Sequence, residues 1–184
     1  MTGAARARLT RDDWIRAGLD ALHASGPGAI GAEPLARRLG TTKGSFYWHF
    51  RDVPDFHAAL LAHWRTEVEI ALFAAGGATD SARLRATAQA IAATGSDDSR
   101  ALPCEPMIRA WAHGHEAVAE MLHEVDALRL ARLRDLLAAC DIGNPEMAHI
   151  LCAAATGMQA LQDADSDQTA NAIGSLVDLI LALR

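Results

Sequence analysis

The sequence predicts an all-α protein of about nine helices. A three-helix head at the N-terminus is joined by a long helix to a C-terminal helical bundle. Two observations support this. Apolar residues recur at helical period almost throughout, and no run of β-branched residues alternates for long enough to make a strand. Charge also divides the chain. Residues 1–51 hold eight Arg or Lys (Arg6, Arg8, Arg11, Arg16, Arg37, Arg38, Lys43, Arg51) against four acids (Asp12, Asp13, Asp20, Glu33), net +4. With −6 overall, the remainder carries −10. A basic head on an acidic body points to a head that meets a polyanion and a body that does not.

The elements follow in order. Thr10 or Asp12 caps a first helix with the face Trp14, Ile15, Leu19 and Leu22, stopped by "SGPG" at 25–28. A short helix is expected from about Ala32 to Leu39, with Pro34 tolerated in its first turn and Gly40 ending it. After "TT" comes a helix of one to two turns, Lys43 to His49. Asp52 and Asp55 then stand at N-cap and N3 of a long helix to about Ala75. In the body, Ser81 opens a helix to about Thr94, and "GSDDSRALPCEP" is a loop. Pro106 begins a short helix that ends near Gly114.

Residues 115–140 carry Val118, Met121, Leu122, Val125, Leu128, Leu133, Leu136, Leu137 and Cys140 as one stripe. Its acids come early and its arginines late, which suits the helix dipole. Asn144 and Pro145 start a helix to about Leu161, and the last one starts near Ser166. The expected division is a helix-turn-helix domain over 1–51 and a helical domain over 52–184.

Composition narrows the function. At 184 residues the chain should bury roughly 70% of its unfolded surface without staples. Its three cysteines, Cys104, Cys140 and Cys152, match neither a disulfide framework nor a zinc pattern, so a reducing compartment is expected. No apolar segment follows the first arginines as in a signal peptide. The longest uncharged stretch, "MAHILCAAATGMQALQ", falls short of a membrane span. A cytoplasmic protein with no membrane partner is expected. There is no glycine-rich phosphate loop, no "GxSxG", no "HExxH" and no carboxylate pair that the sequence places together. The chain is therefore expected not to be an enzyme, with no catalytic residues, cofactor or metal. The alternative kept open is a metal-responsive helical DNA-binding sensor using Cys104, His113, His115 and the His149/Cys152 pair.

The most informative stretch is "LARRLGTTKGSFYWHFRD", residues 35–52. A helix, a turn at "GTT" and a second short helix form a helix-turn-helix, whose second member can lie in a DNA major groove. Helical spacing puts Phe46 and Phe50 on one face, facing the first helix, and leaves Lys43, Tyr47 and Trp48 to project. Tyr47 and His49 can donate hydrogen bonds to phosphate oxygens, and Lys43 adds charge at the leading end. Thr42 and Ser45 are short enough to let the backbone approach base edges. Lys43 is the single lysine beside sixteen arginines: either a leftover in an Arg-biased sequence or a compact charge where a guanidinium is too large.

"GTTKGSFYWHFRD" closely resembles the recognition helix of the tetracycline-repressor (TetR) family of bacterial regulators, and the resemblance covers roughly residues 9–65. It implies that Thr42, Lys43, Ser45, Tyr47, Trp48 and His49 lie at the DNA surface, with Tyr47 and His49 as phosphate anchors. Three departures bear on the second helix: Gly31 in place of a Thr or Ser cap, Pro34 inside the first turn, and Thr41 in place of an apolar turn residue. They are expected to loosen it.

Beyond residue 75 the resemblance rests on "EPMIRAWAHGHEAVAEMLHEVDALRLARLRDLL". It implies that residues 52–184 form a ligand-binding and dimerisation domain, in which the body encloses a small-molecule site and the last two helices pair with a second subunit. Trp64, Met107, Trp111, His113, Met121 and Met158 are the ligand-binding candidates, with Thr156 and Gln159 as nearby polar groups. A Met and Trp stripe of this kind also serves as ordinary core. The small-residue run Ala148, Cys152, Ala155 and Gln159, with Ile173, Leu176, Val177 and Ile180, suits helix packing across a dimer, and equally an internal core. Arg109 and Asp126 are expected to pair between adjacent helices. The function expected is a ligand-responsive repressor that binds a palindromic operator as a homodimer and is released by a small apolar effector.

Overall fold

The computed structural model describes residues 9–93, 104–161 and 166–182, and every regular element among them is helical. The α-helices are α1 (Arg11–Ser25), α2 (Ala32–Arg38), α3 (Lys43–Phe46), α4 (Val53–Ala74), α5 (Asp80–Ala93), α6 (Glu105–Ala112), α7 (Glu116–Ala139), α8 (Glu146–Met158) and α9 (Ser166–Leu181). One 3-10 turn, Pro27–Ala29, follows α1. The fold is all-α, as expected. Most of the loop expected at 95–106 lies outside the described residues. The chain divides into a first compact unit that ends at His63 and a second that begins at Trp64. The first half of α4, about three turns, thus packs with the head.

In the first unit, Thr10 caps α1. Its hydroxyl accepts from the Asp13 N–H, and the Asp13 carboxylate accepts from the Thr10 N–H, closing a capping box. Trp14, Ile15, Leu19 and Leu22 are buried as their spacing requires, together with Ala17, Gly18 and Ala21. Gly18 is a point of close approach, since a Cβ there would lie 2.6 Å from Phe56 Cζ and 2.8 Å from Leu60 Cδ1.

α2 forms despite its departures. Gly31 offers no side-chain cap, but Ala32, Leu35 and Ala36 are buried, and that packing outweighs the missing cap. Its end is firm. Gly40 takes φ +60°, its N–H donates to Arg37 O at 3.1 Å, and Thr41 N–H donates to Ala36 O at 2.8 Å. α3 is shorter than expected. Helical geometry stops at Phe46, and residues 47–49 continue as tighter turns in which Trp48 N–H donates to Ser45 O and His49 N–H to Phe46 O. Asp55 N–H donates to Asp52 Oδ1 at 2.8 Å to start α4, the expected cap.

In the second unit, α5, α7, α8 and α9 surround a core containing Leu84, Ala88, Ile91, Leu133, Leu137, Ala148, Leu151, Ala155, Ile173, Val177 and Ile180. Polar ties reinforce it. Gln89 Nε2 donates to Ala170 O at 2.8 Å, Gln159 Nε2 donates to Ile91 O at 2.7 Å, and Arg85 pairs with Asp178. The residues assigned to a dimer face are placed differently from the expectation. Ala148, Cys152, Ala155, Ile173, Val177 and Ile180 are buried within the single chain, and Gln159 and Leu176 are partly so. A side chain with no accessible surface in one protomer has none to offer a second. Small residues on α8 instead let it approach its neighbours within the chain.

The expected Arg109–Asp126 pair is present, at 2.7 and 3.1 Å, and belongs to a larger group. Arg129 donates from both terminal nitrogens to the two oxygens of Glu105 at 2.6 Å each, and both side chains are fully buried. Arg109 also donates to Glu105, at 2.8 and 3.0 Å. Burial alone would raise the Glu105 carboxyl, but the hydrogen bonds and charge of Arg129, with those of Arg109, outweigh it and hold it below its ordinary value. The sign for stability follows: a depressed carboxylate stabilises above its unfolded pKa, about 4.3, and that contribution is lost as pH falls through the lower folded value. Urea midpoints should therefore drop on acidification below about pH 4.5 more steeply in the wild type than in Glu105→Gln. That variant, leaving two arginines short of a counter-charge, should be less stable at pH 7 by about 3 kcal/mol.

Candidate nucleic-acid interface

The site begins with Phe46. It is fully buried, edge-on to Trp14 at 5.4 Å and to Phe56 at 5.4 Å, and tilted against Phe50 at 5.2 Å between ring centroids. This anchor fixes the rotation of α3 and so decides what the helix presents. Thr42 caps α3 with its hydroxyl, which accepts from Ser45 N–H at 3.3 Å. Lys43 in the first turn is exposed, and no ion pair with the described residues restrains it.

Tyr47 stands edge-on to Phe46 at 5.3 Å and is 47% exposed, while Trp48 is 82% exposed. His49 is half-buried, its ring 6.4 Å from both Trp14 and Phe50. Beside it, hydrogen bonds from the Thr10 backbone and hydroxyl keep Asp13 below the usual carboxylate range, with the charges of Arg16 and His49 adding to the effect. The six expected residues, Thr42, Lys43, Ser45, Tyr47, Trp48 and His49, thus form one continuous segment held by a single buried ring. One neighbour was missed. Arg11 lies over the Phe50 ring at 4.8 Å, bringing a cation to the end of the same segment. Arg37 and Arg51 are instead paired with Glu33 and Asp52.

The ligand candidates separate. Trp64 and Trp111 are buried, and Met107 and Met121 are half-buried. They lie on α4, α6 and α7, of which α7 joins α6 through the ionic group and α4 through Arg65–Glu124 at 3.5 Å. His113 departs from the expectation. It is exposed at the C-cap of α6, with Nδ1 2.9 Å from Arg109 O, and faces outward rather than inward. Met158 packs against the α5–α9 core instead of with the other candidates. Among the described residues, no three His, Cys, Asp or Glu side chains converge where a metal could sit, so the set proposed for the metal-sensor alternative is not assembled. No described helix is long and apolar enough to cross a membrane.

The fold has counterparts among solved structures. A transcriptional regulator from Rhodococcus sp. Rha1 superposes with a TM-score of 0.80 over 95% of this chain and 97% of its own, at 19% identity. A TetR-family transcriptional regulator from Streptomyces coelicolor does so at 0.69 over 94% and 88%, at 15% identity. The fold is that of the TetR-family transcriptional regulators. In sequence, the chain is 38% identical over 64 residues to the transcriptional regulator AcuR of Cereibacter sphaeroides, a match spanning 35% of this chain and only 29% of that protein. No protein-family model matches the chain.

Anchor and contact residues should respond oppositely to truncation. Phe46→Ala should destabilise the protein by about 3–5 kcal/mol, while Trp48→Ala should leave the urea midpoint within about 0.5 kcal/mol of the wild type. Trp48→Ala should nonetheless weaken binding to duplex DNA in a fluorescence-anisotropy titration.

Proposed function

We propose that the protein is a ligand-responsive transcriptional repressor that binds a palindromic operator as a homodimer and is released by a small, largely apolar effector. The observation that carries the DNA-binding part is the segment Thr42–His49, exposed at Lys43, Tyr47 and Trp48 and locked by fully buried Phe46. Regulators that share this fold supply the context. Lys43 approaches a base edge, and Tyr47 and His49 donate to phosphate oxygens. Arg11, Arg16, Arg38 and Lys43 supply positive charge on the described surface of the head. If each subunit neutralises about four phosphates, a dimer gives a slope of about −7 in log K against log salt. A slope near −1 on duplex DNA would refute the reading. Tyr47→Ala should weaken all sequences alike, whereas Lys43→Ala should relax preference at one position of each half-site.

For self-association, the outward faces of α8 and α9 are the supporting surface. Ile150 is 46% exposed and Leu179 is 61% exposed. Large apolar side chains on the outer faces of both helices suit a self-complementary contact. Leu179→Glu should give a folded monomer with weak operator binding in sedimentation and anisotropy measurements. Ala155→Arg, placed in the core, should lose its cooperative unfolding transition instead. A Leu179→Glu variant that remained dimeric would rule out this face.

A further inference from the structure

Trp64 stands on the inward face of α4. It shares that face with Val68 and Leu72, one and two turns further on, and all three are buried. Two ties set α4 beside α7. Arg65 meets Glu124 at 3.5 Å, and the Arg132 guanidinium lies 5.4 Å from the centre of the Phe73 ring. From one tie to the next both helices advance by eight residues, so they run parallel and in step. α6 runs antiparallel to α7, because Glu105 pairs with Arg129 and Arg109 with Asp126. Continuing that register brings Trp111 to the level of α7 that Trp64 also reaches, around Leu122 to Val125, both buried. Two buried indoles thus stand at one level of α7, with Met107 and Met121 within about a turn of it.

The indole of Trp64 is fully buried, yet its Nε1 has no hydrogen-bond acceptor among the described residues. An indole N–H donates and cannot accept. Dry and unpaired, it carries the whole desolvation cost of a buried donor, which folded proteins seldom leave unanswered. Phenylalanine would fill much of the same space without that cost. The donor therefore calls for an acceptor that the described residues do not supply. The neighbourhood sets the chemistry of that acceptor. The charges that tie α6 to α7 are two carboxylates and two guanidiniums, which balance. A carboxylate entering at this level would gain no net attraction from them, and burying it would be costly. A hydroxyl would bring an O–H in need of an acceptor of its own. A neutral carbonyl oxygen needs only a donor.

We propose that Trp64 Nε1 donates to a carbonyl oxygen of the effector, which is therefore an apolar ketone or ester rather than a hydrocarbon, an alcohol or an acid. This rests on the ligand-responsive reading above and specifies the chemistry of its site. Trp14 Nε1 in the head is unpaired as well, but its indole serves the ring cluster around Phe46, and it supplies an internal control.

The probes are acetophenone and α-methylstyrene, which share one shape and differ by a carbonyl oxygen replaced with a methylene. In proton–nitrogen correlation spectra of the wild type, acetophenone should move the Trp64 indole N–H resonance downfield and α-methylstyrene should not. The Trp14 resonance should stay in place with both. In calorimetric titrations, Trp64→Phe should weaken acetophenone about fivefold more than it weakens α-methylstyrene, the loss of one neutral hydrogen bond. Equal displacement by the two probes, or a Trp64 resonance that acetophenone leaves in place, overturns the proposal. The wild-type spectra decide this whether or not Trp64→Phe folds. Operator binding is followed separately by anisotropy, and acetophenone should weaken it. If acetophenone moves the Trp64 resonance but leaves operator affinity unchanged, the carbonyl site stands and the ligand-responsive reading fails.

Discussion

The surface presented by the segment Thr42–His49 hangs on the burial of one ring. α3 has four residues, far fewer than a helix needs to be stable alone in water. Its conformation is imposed from outside, by Phe46 held among Trp14, Phe50 and Phe56, by the Thr42 cap, and by the firm end of α2 at Gly40. Because side chains on so short an element cannot rotate independently of its axis, fixing Phe46 inward fixes Lys43, Tyr47 and Trp48 outward. Gly18 serves the same end, since any side chain there would push Phe56 and Leu60 away from α1 and loosen the ring cluster.

The second unit solves a different problem, the close packing of long helices with few aromatic residues. Alanines, a glycine and a cysteine on the inner faces of α8 and α9 let the backbones come near, and side-chain amides from Gln89 and Gln159 reach across to carbonyls on neighbouring elements. Gly174 leaves room on α9 for the Arg85 guanidinium as it reaches Asp178. Against this apolar interior the ionic group between α6 and α7 is an exception. Its attraction must offset the desolvation of several charges, so the group stabilises little in itself, while removing one partner leaves a buried charge uncompensated.

The placement of α8 and α9 shows why a pattern of small residues is ambiguous in a sequence. Close approach between two helices demands the same residues whether the second helix belongs to the same chain or to another. In this protein α5 fills the role, and Ala155 and Val177 are sealed inside. The outward positions, Ile150 and Leu179, stand out only once the inner faces have been assigned.

Much was determined by local sequence. Helical periodicity and cap chemistry located α1, the start of α4 and the start of α9 to within a residue or so, because a Thr or Asp cap and an apolar stripe act over one or two turns. The string from Gly40 to Asp52 likewise contained both the buried ring and its exposed neighbours. Tertiary structure decided what depends on partners far away in the chain. It shortened α3, drew the first half of α4 into the head, turned His113 outward and moved the small faces of α8 and α9 into the core. It also buried Arg129, a charge in the middle of an apolar stripe, opposite Glu105, twenty-four residues earlier and outside any local pattern. Periodicity assigns a residue to a face, but only packing decides what that face meets.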